Sequence, residues 1–209
     1  MGRRLVVTLI RHGLTKYNEE HRYLGATDIP LSEKGKAQVE KMRAVSFPER
    51  FLLFTSDRLR CLETANILFP NLQPLPLKQL REIDFGDWEG KTYEQLKHLD
   101  HYIEWLKNPF QLTPPNGEPF SAFSKRVTHA FQTILAQTEK KRLNDVVIIT
   151  HGGVIRQWLT TYAPLKKNFF AWDVPIGSVI TLSGDVSDVR RGSRFSSLQV
   201  ALTTAKMNG

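Results

Sequence analysis

The chain has 209 residues, 41% of them hydrophobic and 24% charged, which indicates an ordinary soluble globular protein. The formal net charge is +8, but the basic residues are scattered and not interleaved with aromatic side chains, so we expect a general bias toward anionic ligands and no nucleic-acid partner. Cys61 is the only cysteine, which excludes an internal disulfide and a cysteine-rich metal site and favours a reducing cytoplasm.

The N-terminal stretch MGRRLVVTLI has the basic-then-apolar order of a signal peptide, but it is too short and no small-residue cleavage site follows it. The N-myristoylation pattern requires Ser or Thr at position 6, where this chain has Val6. No stretch approaches the ~20 apolar residues that span a bilayer. We therefore expect a cytoplasmic protein without a membrane partner, in which residues 1–209 form one domain.

Apolar runs and helical periods alternate along the chain. The predicted strands are 5–10, 51–55, 146–150 and 179–182. The predicted helices are 32–42 with Ser32 as the N-cap, 58–69, 92–108, a long helix whose buried side carries Phe120, Phe123, Val127, Phe131 and Ile134, and 153–161. This alternation predicts a three-layer α/β fold, with a mostly parallel central sheet and helices on both faces.

Two regions depart from this rhythm. Residues 80–118 are expected to form a segment that caps the sheet, with Leu80 at the end of a further strand. Thr92 and Gln95 have capping-box spacing at the start of the helix over 92–108. The predicted buried face of that helix consists of Tyr93, Leu96, Leu99, Ile103 and Leu106. Near the C-terminus, SSLQVALTT is compatible with an added edge strand.

Three predicted strands are followed by residues suited to phosphate. His12 follows the first strand, His151 follows the strand ending at Thr150, and Ser56, Arg58 and Arg60 follow the strand over 51–55. Since ligands bind at the carboxyl ends of parallel strands, we expect these side chains to meet at one edge of the sheet.

Arginine carries a fork of donors that fits phosphate oxygens, so Arg11 and Arg60 in one pocket would hold a dianionic phosphoryl group. Cations on both sides favour a neutral imidazole, which is a competent nucleophile toward phosphorus. The amide of Gly152, at the start of a helix, is suited to an anion.

The leaving alcohol needs a proton donor, and the stretch LREIDFGDWEG offers carboxyl groups for that role. The candidates for this general acid are Glu82, Asp84, Asp87 and Glu89. The pattern alone leaves the choice among them open.

Several motifs together resemble one family. LIRHG followed by Thr15 and Asn18, then GATDIPLSEKG, SDRLRCLETA, LREIDFGDWEG, NGEPF and ITHGG, resemble in order the phosphoglycerate-mutase-like branch of the histidine phosphatase superfamily. They extend from residue 9 to about 156, which is most of the chain. Leu14 stands where many members have glutamate, a departure that affects the subfamily rather than the chemistry.

The resemblance implies a role for each matching residue. His12 is similar to the nucleophile that becomes phosphohistidine, and Glu82 to the general acid. The remaining residues are implied to form the phosphate pocket: Arg11, Arg60 and His151, with Asn18 lining it. Asp84 and Asp87 remain alternatives for the acid.

Within this family the chain is more similar to phosphatases than to mutases. Ile83 stands where the mutases usually have arginine, and the interval 90–117 is short and contains no arginine. The resemblance is to α-ribazole phosphatases of cobamide synthesis and to broad-specificity phosphatases, and the sequence does not separate the two. We expect a metal-independent phosphomonoesterase acting on small phosphorylated metabolites. The alternatives are a cofactor-dependent phosphoglycerate mutase and a non-catalytic phospholigand-binding protein.

The sequence contains weaker matches to three other kinds of site: a cysteine nucleophile, a P-loop and a metal site. A cysteine-dependent phosphatase needs arginine six positions after its nucleophile, where Cys61 is followed by Ile67. GDWEGKT has three residues between its glycines, where a P-loop has four. His98 and His101 lie at i, i+3 with no third ligand, so we expect no metal. No cofactor is expected, and the sequence leaves a homodimer open.

Overall fold

A computed structural model describes residues 3–201 of the chain. One sheet of six strands runs through them; the strands are β1 (Arg4–Arg11), β2 (Leu52–Thr55), β3 (Leu75–Pro76), β4 (Asp145–Thr150), β5 (Val179–Asp185) and β6 (Ser197–Ala201). Their order in the sheet is β3-β2-β4-β1-β5-β6. The first four in this order pair in parallel, whereas β5 and β6 are antiparallel to their neighbours. The mostly parallel sheet predicted from the sequence is therefore confirmed.

The helices of the described residues are α1 (Lys16–Glu19), α2 (Glu33–Met42), α3 (Leu59–Leu68), α4 (Tyr93–Leu96), α5 (Asp100–Lys107), α6 (Phe120–Lys141), α7 (Gly152–Tyr162) and α8 (Val186–Arg190). Helices α2 and α3 pack on one face of the sheet and α6 and α7 on the other, whereas α4 and α5 contribute to a separate cluster. The predicted start of α2 is confirmed, because Ser32 Oγ accepts a hydrogen bond from the Gly35 amide (3.1 Å). Helices α3, α6 and α7 also lie where the sequence predicts them.

Alternating side chains of β1 and β4 enter two different layers. Leu9 and Ile148 belong to the larger apolar cluster, which includes residues of α6 and α7. Ile10 and Ile149 point the other way and pack with residues of α2 and α3. A strand alternates its side chains with period two, so a strand buried on both faces must be apolar throughout. The continuous apolar runs of the sequence have this cause.

The helix predicted over 92–108 is in fact two helices, so that prediction is wrong in its extent. The Thr92–Gln95 capping box is present and opens α4, but the helix stops after Leu96. Leu99 is extended (φ −91°, ψ 115°) and precedes Asp100, which opens α5. The restart changes the helical phase, which leaves Leu99 47% exposed. Of the predicted buried face, Tyr93 and Leu106 are exposed as well, and Tyr102 is buried in their place.

The strand predicted to end at Leu80 is also wrong. Leu80 ends a 3-10 turn (Lys78–Leu80), and the only strand nearby is the two-residue β3. Pro76 cannot donate a ladder hydrogen bond, which keeps β3 short and at the sheet edge. Leu80 is nevertheless fixed to the sheet, because its carbonyl accepts a hydrogen bond from Thr150 Oγ1 (2.7 Å).

At the opposite edge, β6 confirms the edge strand over the part of SSLQVALTT that is described. Residues 202–204 of that prediction lie outside the described residues, as do residues 1–2 of the stretch compared with a signal peptide. Among residues 3–201, no helix combines the length and apolar character that a bilayer crossing requires.

Candidate active site

The two histidines lie side by side at the carboxyl edge of the sheet. Strands β1 and β4 are parallel neighbours, and Arg11 is paired with Thr150. The next residue on each strand is therefore His12 and His151, whose ring centroids are 5.1 Å apart. Both are buried, at 3% and 0% exposure. The convergence of strand ends predicted from the sequence is present in the fold.

The hydrogen bonding of His12 leaves one ring nitrogen available. Its Nδ1 lies 2.8 Å from the carbonyl oxygen of Gly13, so Nδ1–H donates and Nε2 carries the lone pair. Burial, together with the charges of Arg60 and Arg11, holds the pKa of the His12 imidazole well below its ordinary value of 6.5. His12 is therefore a neutral imidazole whose Nε2 has no hydrogen-bond partner among residues 3–201, as nucleophilic attack requires.

The guanidinium group of Arg11 is hydrogen-bonded at one nitrogen and has another nitrogen available for a ligand. Its Nη1 donates to the carbonyl oxygen of Val174 (2.7 Å), whereas its buried Nε has no partner within residues 3–201. Burial lowers the pKa of Arg11 to about 10, so it stays charged at neutral pH. Because an unsatisfied buried donor costs about 1–3 kcal/mol, Nε is a natural contact for a ligand oxygen.

The glycine after His151 makes room for Arg11. A Cβ atom on Gly152 would lie 3.1 Å from Arg11 Cζ, tighter than ordinary van der Waals contact. Gly152 is the first residue of α7, and the side chain of His151 at the N-cap makes no capping hydrogen bond. The amide of Gly152 and the guanidinium of Arg11 thus lie together at a positive helix end.

Arg60 is fully buried and is positioned by the loop that contains GATDI. Its Nη1 and Nη2 donate to the carbonyl oxygens of Thr27 and Gly25 (both 2.8 Å), and its Nε donates to His151 Nδ1 (3.3 Å). Since guanidinium has five N–H groups, two remain for an anion. His151 Nδ1 is then an acceptor, so Nε2–H donates to Ser56 Oγ (2.9 Å). The sequence predicted Arg60 and His151 near each other, but not these contacts.

Glu82 is the one candidate acid that reaches the histidines' end of α7. Its Oε2 accepts from the amide of Gly153 (2.8 Å) and its Oε1 from that of Ile83 (3.0 Å). A Cβ atom on Gly153 would lie 2.2 Å from Glu82 Oε1. The two glycines of the HGG motif thus admit different partners, Gly152 the guanidinium of Arg11 and Gly153 the carboxylate of Glu82. No local sequence pattern indicates this role of Gly153.

The other three acids of LREIDFGDWEG are engaged in hydrogen bonds that hold loops together. Asp84 accepts from the amide of Gly86, and Asp87 from the side chain of Asn116. Glu89 accepts from several backbone amides, those of Gly25, Ala26, Thr27 and Phe85. Glu89 therefore shapes the same loop that holds Arg60, a long-range role that no local pattern indicates.

Two further predicted residues lie at the edge of this site. Asn18 Oδ1 accepts from the amide and the hydroxyl of Thr15 (3.2 and 2.9 Å), which completes the capping box of α1. Arg58 is 16% exposed in its side chain, and its Nη1 lies 4.0 Å from Asp28. The cap role of Asn18 is thus present, and its ligand contact stays a prediction.

A cavity of about 380 Å³ opens beside Glu82 and has mostly apolar walls. It is lined by Tyr23, Glu82, Ile83, Phe85, Trp105, Leu106, Pro109, Phe120, Phe123, Gly153, Arg156, Phe169 and Phe170. Trp88 and Tyr102 instead form a separate buried cluster with Leu96. Arg156 was missed in the sequence, although it lies four residues after Gly152 on the same face of α7.

Cys61 occupies a buried position on α3. Its Sγ lies 3.6 Å from His151 Nε2, and burial raises the pKa of the thiol to about 12. It is therefore a neutral thiol and not a nucleophile. Within the described range 3–201, no cluster of three or more His, Cys, Asp or Glu side chains could hold a metal ion.

Comparisons with known proteins identify one family. The family model of the histidine phosphatase superfamily (branch 1) matches residues 7–189. The adenosylcobalamin/alpha-ribazole phosphatase of Escherichia coli (strain K12) is 31% identical over 153 residues, covering 70% of this chain and 73% of the relative. Phosphoglycerate mutase-like protein 4 of Arabidopsis thaliana is 30% identical over 158 residues, covering 72% and 67%. The crystal structure of the alpha-ribazole phosphatase from Shigella flexneri matches with a TM-score of 0.76 at 26% identity, over 85% of this chain and 90% of that one.

Proposed function

The chain belongs to the histidine phosphatase superfamily (branch 1), and from this premise we propose that it is a phosphomonoesterase working through a phosphohistidine on His12. The observation that carries the proposal is the arrangement around one point. Three groups lie at the start of α7, which Gly152 opens: the carboxylate of Glu82, and Nε2 of His12 and Nε of Arg11, neither of which has a hydrogen-bond partner among residues 3–201. Nucleophile, anion contact and proton donor are thus present together.

In the first step, Nε2 of His12 attacks phosphorus as the bond from phosphorus to the ester oxygen breaks. Arg11 and Arg60 hold the phosphoryl oxygens and offset the charge that spreads over them. Glu82, protonated at this stage, gives its proton to the leaving oxygen, so that a neutral alcohol departs.

In the second step, Glu82 is a carboxylate and takes a proton from a water molecule. The water oxygen attacks phosphorus while the bond to His12 Nε2 breaks, which releases inorganic phosphate and restores neutral His12. Each proton given in the first step is recovered in the second, so Glu82 serves as acid and then as base.

The substrate we propose is a phosphate ester of a ribosylated aromatic base, such as α-ribazole 5'-phosphate. The aromatic walls of the cavity beside Glu82 suit a flat apolar leaving group. Two of the relatives described above carry the name alpha-ribazole phosphatase, which supports the same substrate class.

The site also supports a role for the segment 80–118 as the cap of one domain, 1–209. This segment contributes Glu82, Phe85 and Trp105 to the cavity, so it shapes the space for the leaving group. A cytoplasmic location accords with the single, buried Cys61.

The direct test is hydrolysis of p-nitrophenyl phosphate in EDTA by the wild type and by His12→Ala. We expect chelator-resistant turnover that the substitution abolishes while the thermal unfolding curve stays cooperative. Glu82→Gln should lower kcat/KM for esters of alkyl alcohols far more than for p-nitrophenyl phosphate, whose leaving group departs without a proton. The comparison uses kcat/KM because the second step, in which Glu82 acts as base, is the same for every ester. Wild-type activity in His12→Ala would end the mechanism, and an equal loss on both ester types in Glu82→Gln would move the acid role to Asp84 or Asp87.

The mutase alternative has a distinct readout. Phosphoglycerate mutases are also among the relatives, for example that of Pseudoalteromonas atlantica, 27% identical over 184 residues. A mutase would interconvert phosphoglycerates and release little free phosphate. The apolar cavity disfavours that polar substrate, so we expect phosphate release instead.

A further inference from the structure

The general acid stands on a stretch of backbone that belongs to no helix or strand. Glu82 lies between the 3-10 turn that ends at Leu80 and a second one over Gly86–Trp88. No sheet ladder fixes its main chain, yet its carboxyl group must keep one place while it loses and regains a proton. The backbone around Glu82 must therefore be fixed by residues outside this segment.

Arg126, on α6, holds that segment with its whole guanidinium group. Its Nη1 donates to the carbonyl oxygens of Gln79 (3.0 Å) and Arg81 (2.7 Å), and its Nη2 to that of Glu82 (2.9 Å). Its Nε and Nη2 also donate to the two carboxylate oxygens of Glu118 (2.6 and 2.7 Å). All five N–H groups of Arg126 are thereby used, and none is left for a substrate.

Glu118 completes the clamp on the other side of Glu82. Its backbone amide donates to the carbonyl oxygen of Asp84 (2.9 Å). A Cβ atom on the preceding Gly117 would lie 2.7 Å from that same oxygen, so glycine allows the close approach. The NGEPF motif therefore holds the backbone after Glu82, while Arg126 holds the backbone before it.

We propose that Arg126 and Glu118 are positioning residues for proton transfer by Glu82, an inference that rests on the proposed function. The pair fixes carbonyl groups on both sides of the acid, so that its carboxyl group stays at the amide of Gly153. Lysine at position 126 would keep the charge but lose the planar fork that spans three carbonyls and a carboxylate. Loss of the guanidinium group of Arg126 would displace the carboxyl group of Glu82 and leave His12 and the phosphate contacts in place.

The test compares two leaving groups in the full-length enzyme. We expect Arg126→Lys to lower kcat/KM for benzyl phosphate by about 10–100-fold, because proton transfer by a positioned acid contributes about 100-fold or more. The kcat/KM for p-nitrophenyl phosphate should fall by less than about 3-fold, since that leaving group needs no proton and kcat/KM does not include the later hydrolysis of phosphohistidine. Arg126→Lys added to Glu82→Gln should lower kcat/KM for benzyl phosphate no further, because both substitutions act on proton transfer to the leaving group.

A matched control is Arg194, which also donates to two carbonyl oxygens, those of Ala163 (2.7 Å) and Thr160 (2.9 Å), at the far end of α7. Arg194→Lys should lower the thermal midpoint without changing the ratio of the two rates. Glu118→Gln keeps an oxygen acceptor for Arg126. If Arg126→Lys does not fold, the ratio of the benzyl phosphate rate to the p-nitrophenyl phosphate rate in Glu118→Gln tests the positioning role instead.

Equal losses on both esters in Arg126→Lys, with Glu82→Gln still selective, would overturn the positioning role and leave a purely structural one. Selective loss in the Arg194→Lys control would overturn it too. A wild type inactive on both esters would instead refute the proposed function, and the inference would fall with it.

Discussion

Gly153→Ala should displace Glu82, the proposed general acid, and change little else. Gly153 lies in the first turn of α7, and its backbone needs no positive φ, so alanine can adopt the same conformation. The added Cβ atom would lie 2.2 Å from Glu82 Oε1 and 3.0 Å from its Cδ, where ordinary contact begins at 3.4 Å. The carboxyl group is the far end of a flexible side chain, so it can retreat by about 1 Å without moving the backbone.

The two consequences have different sizes. A displacement of about 1 Å in a catalytic group costs on the order of 100-fold in rate, so kcat/KM for benzyl phosphate should fall by about that factor. Stability should change little, because alanine favours the helix by about 1 kcal/mol and the hydrogen bond from Gly153 to Glu82 contributes about 1.5–3 kcal/mol. The expected net destabilisation is roughly 1 kcal/mol.

The assay measures kcat/KM for benzyl and p-nitrophenyl phosphate together with thermal unfolding. The matched control is Gly152→Ala, whose Cβ atom would lie 3.1 Å from Arg11 Cζ and should lower kcat/KM for both substrates by a similar factor. Full activity of Gly153→Ala on benzyl phosphate would refute the placement of the acid. So would an equal loss on both esters, since that pattern belongs to the phosphate pocket.

Three further predictions address the pocket and its charge. The pKa values of His12 and His151 are depressed in the folded protein, so below pH 6.5 the unfolded chain binds protons that the folded chain does not, and the free energy of unfolding should decrease as the pH falls. In urea titrations at pH 7 and 5, His12→Asn should reduce this pH dependence by up to about 1.4 kcal/mol per pH unit. An unchanged pH dependence would contradict the buried neutral imidazole. Inorganic phosphate at about 100 times its Kd should raise the free energy of unfolding by about 2.7 kcal/mol. In thermal shift experiments, Arg11→Met should abolish this stabilisation by phosphate, whereas Arg43→Met, at an exposed position, should retain it. Benzyl phosphate should exceed glycerol phosphate in kcat/KM by about 10-fold or more, because burial of roughly 100 Å² of apolar surface contributes about 2.5 kcal/mol; equal values would argue against the aromatic cavity as the leaving-group site.

The parts of the site that the sequence predicted are those with a local signal. A continuous apolar run identifies a strand buried on both faces, and the first polar residues after it identify its carboxyl end. His12 and His151 follow such runs directly, and parallel pairing of β1 with β4 brings them together. The motif resemblance added Glu82 to this set, although the strand expected before it is absent.

The parts that the sequence did not predict depend on contacts between distant residues. Glu89 and Arg126 are ordinary charged residues in the sequence, and their roles come from backbone groups more than 40 positions away, such as the Gly25 amide and the Glu82 carbonyl. The break between α4 and α5 has a related cause. Its apolar residues fit a helical period, but burial of Leu96 and Tyr102 in one cluster decides the phase.

The central claim is the phosphoryl group on His12, and rapid-quench mass spectrometry tests it most directly. Wild-type protein mixed with p-nitrophenyl phosphate and quenched in alkali should carry one added phosphoryl group. Tandem mass spectra of the proteolytic peptide that contains His12 should assign the group to that residue. The adduct should be acid-labile, absent from His12→Ala, and longer-lived in Glu82→Gln, where water lacks its base. A phosphoryl group on any other residue, or steady turnover of His12→Ala without an adduct, would contradict the account.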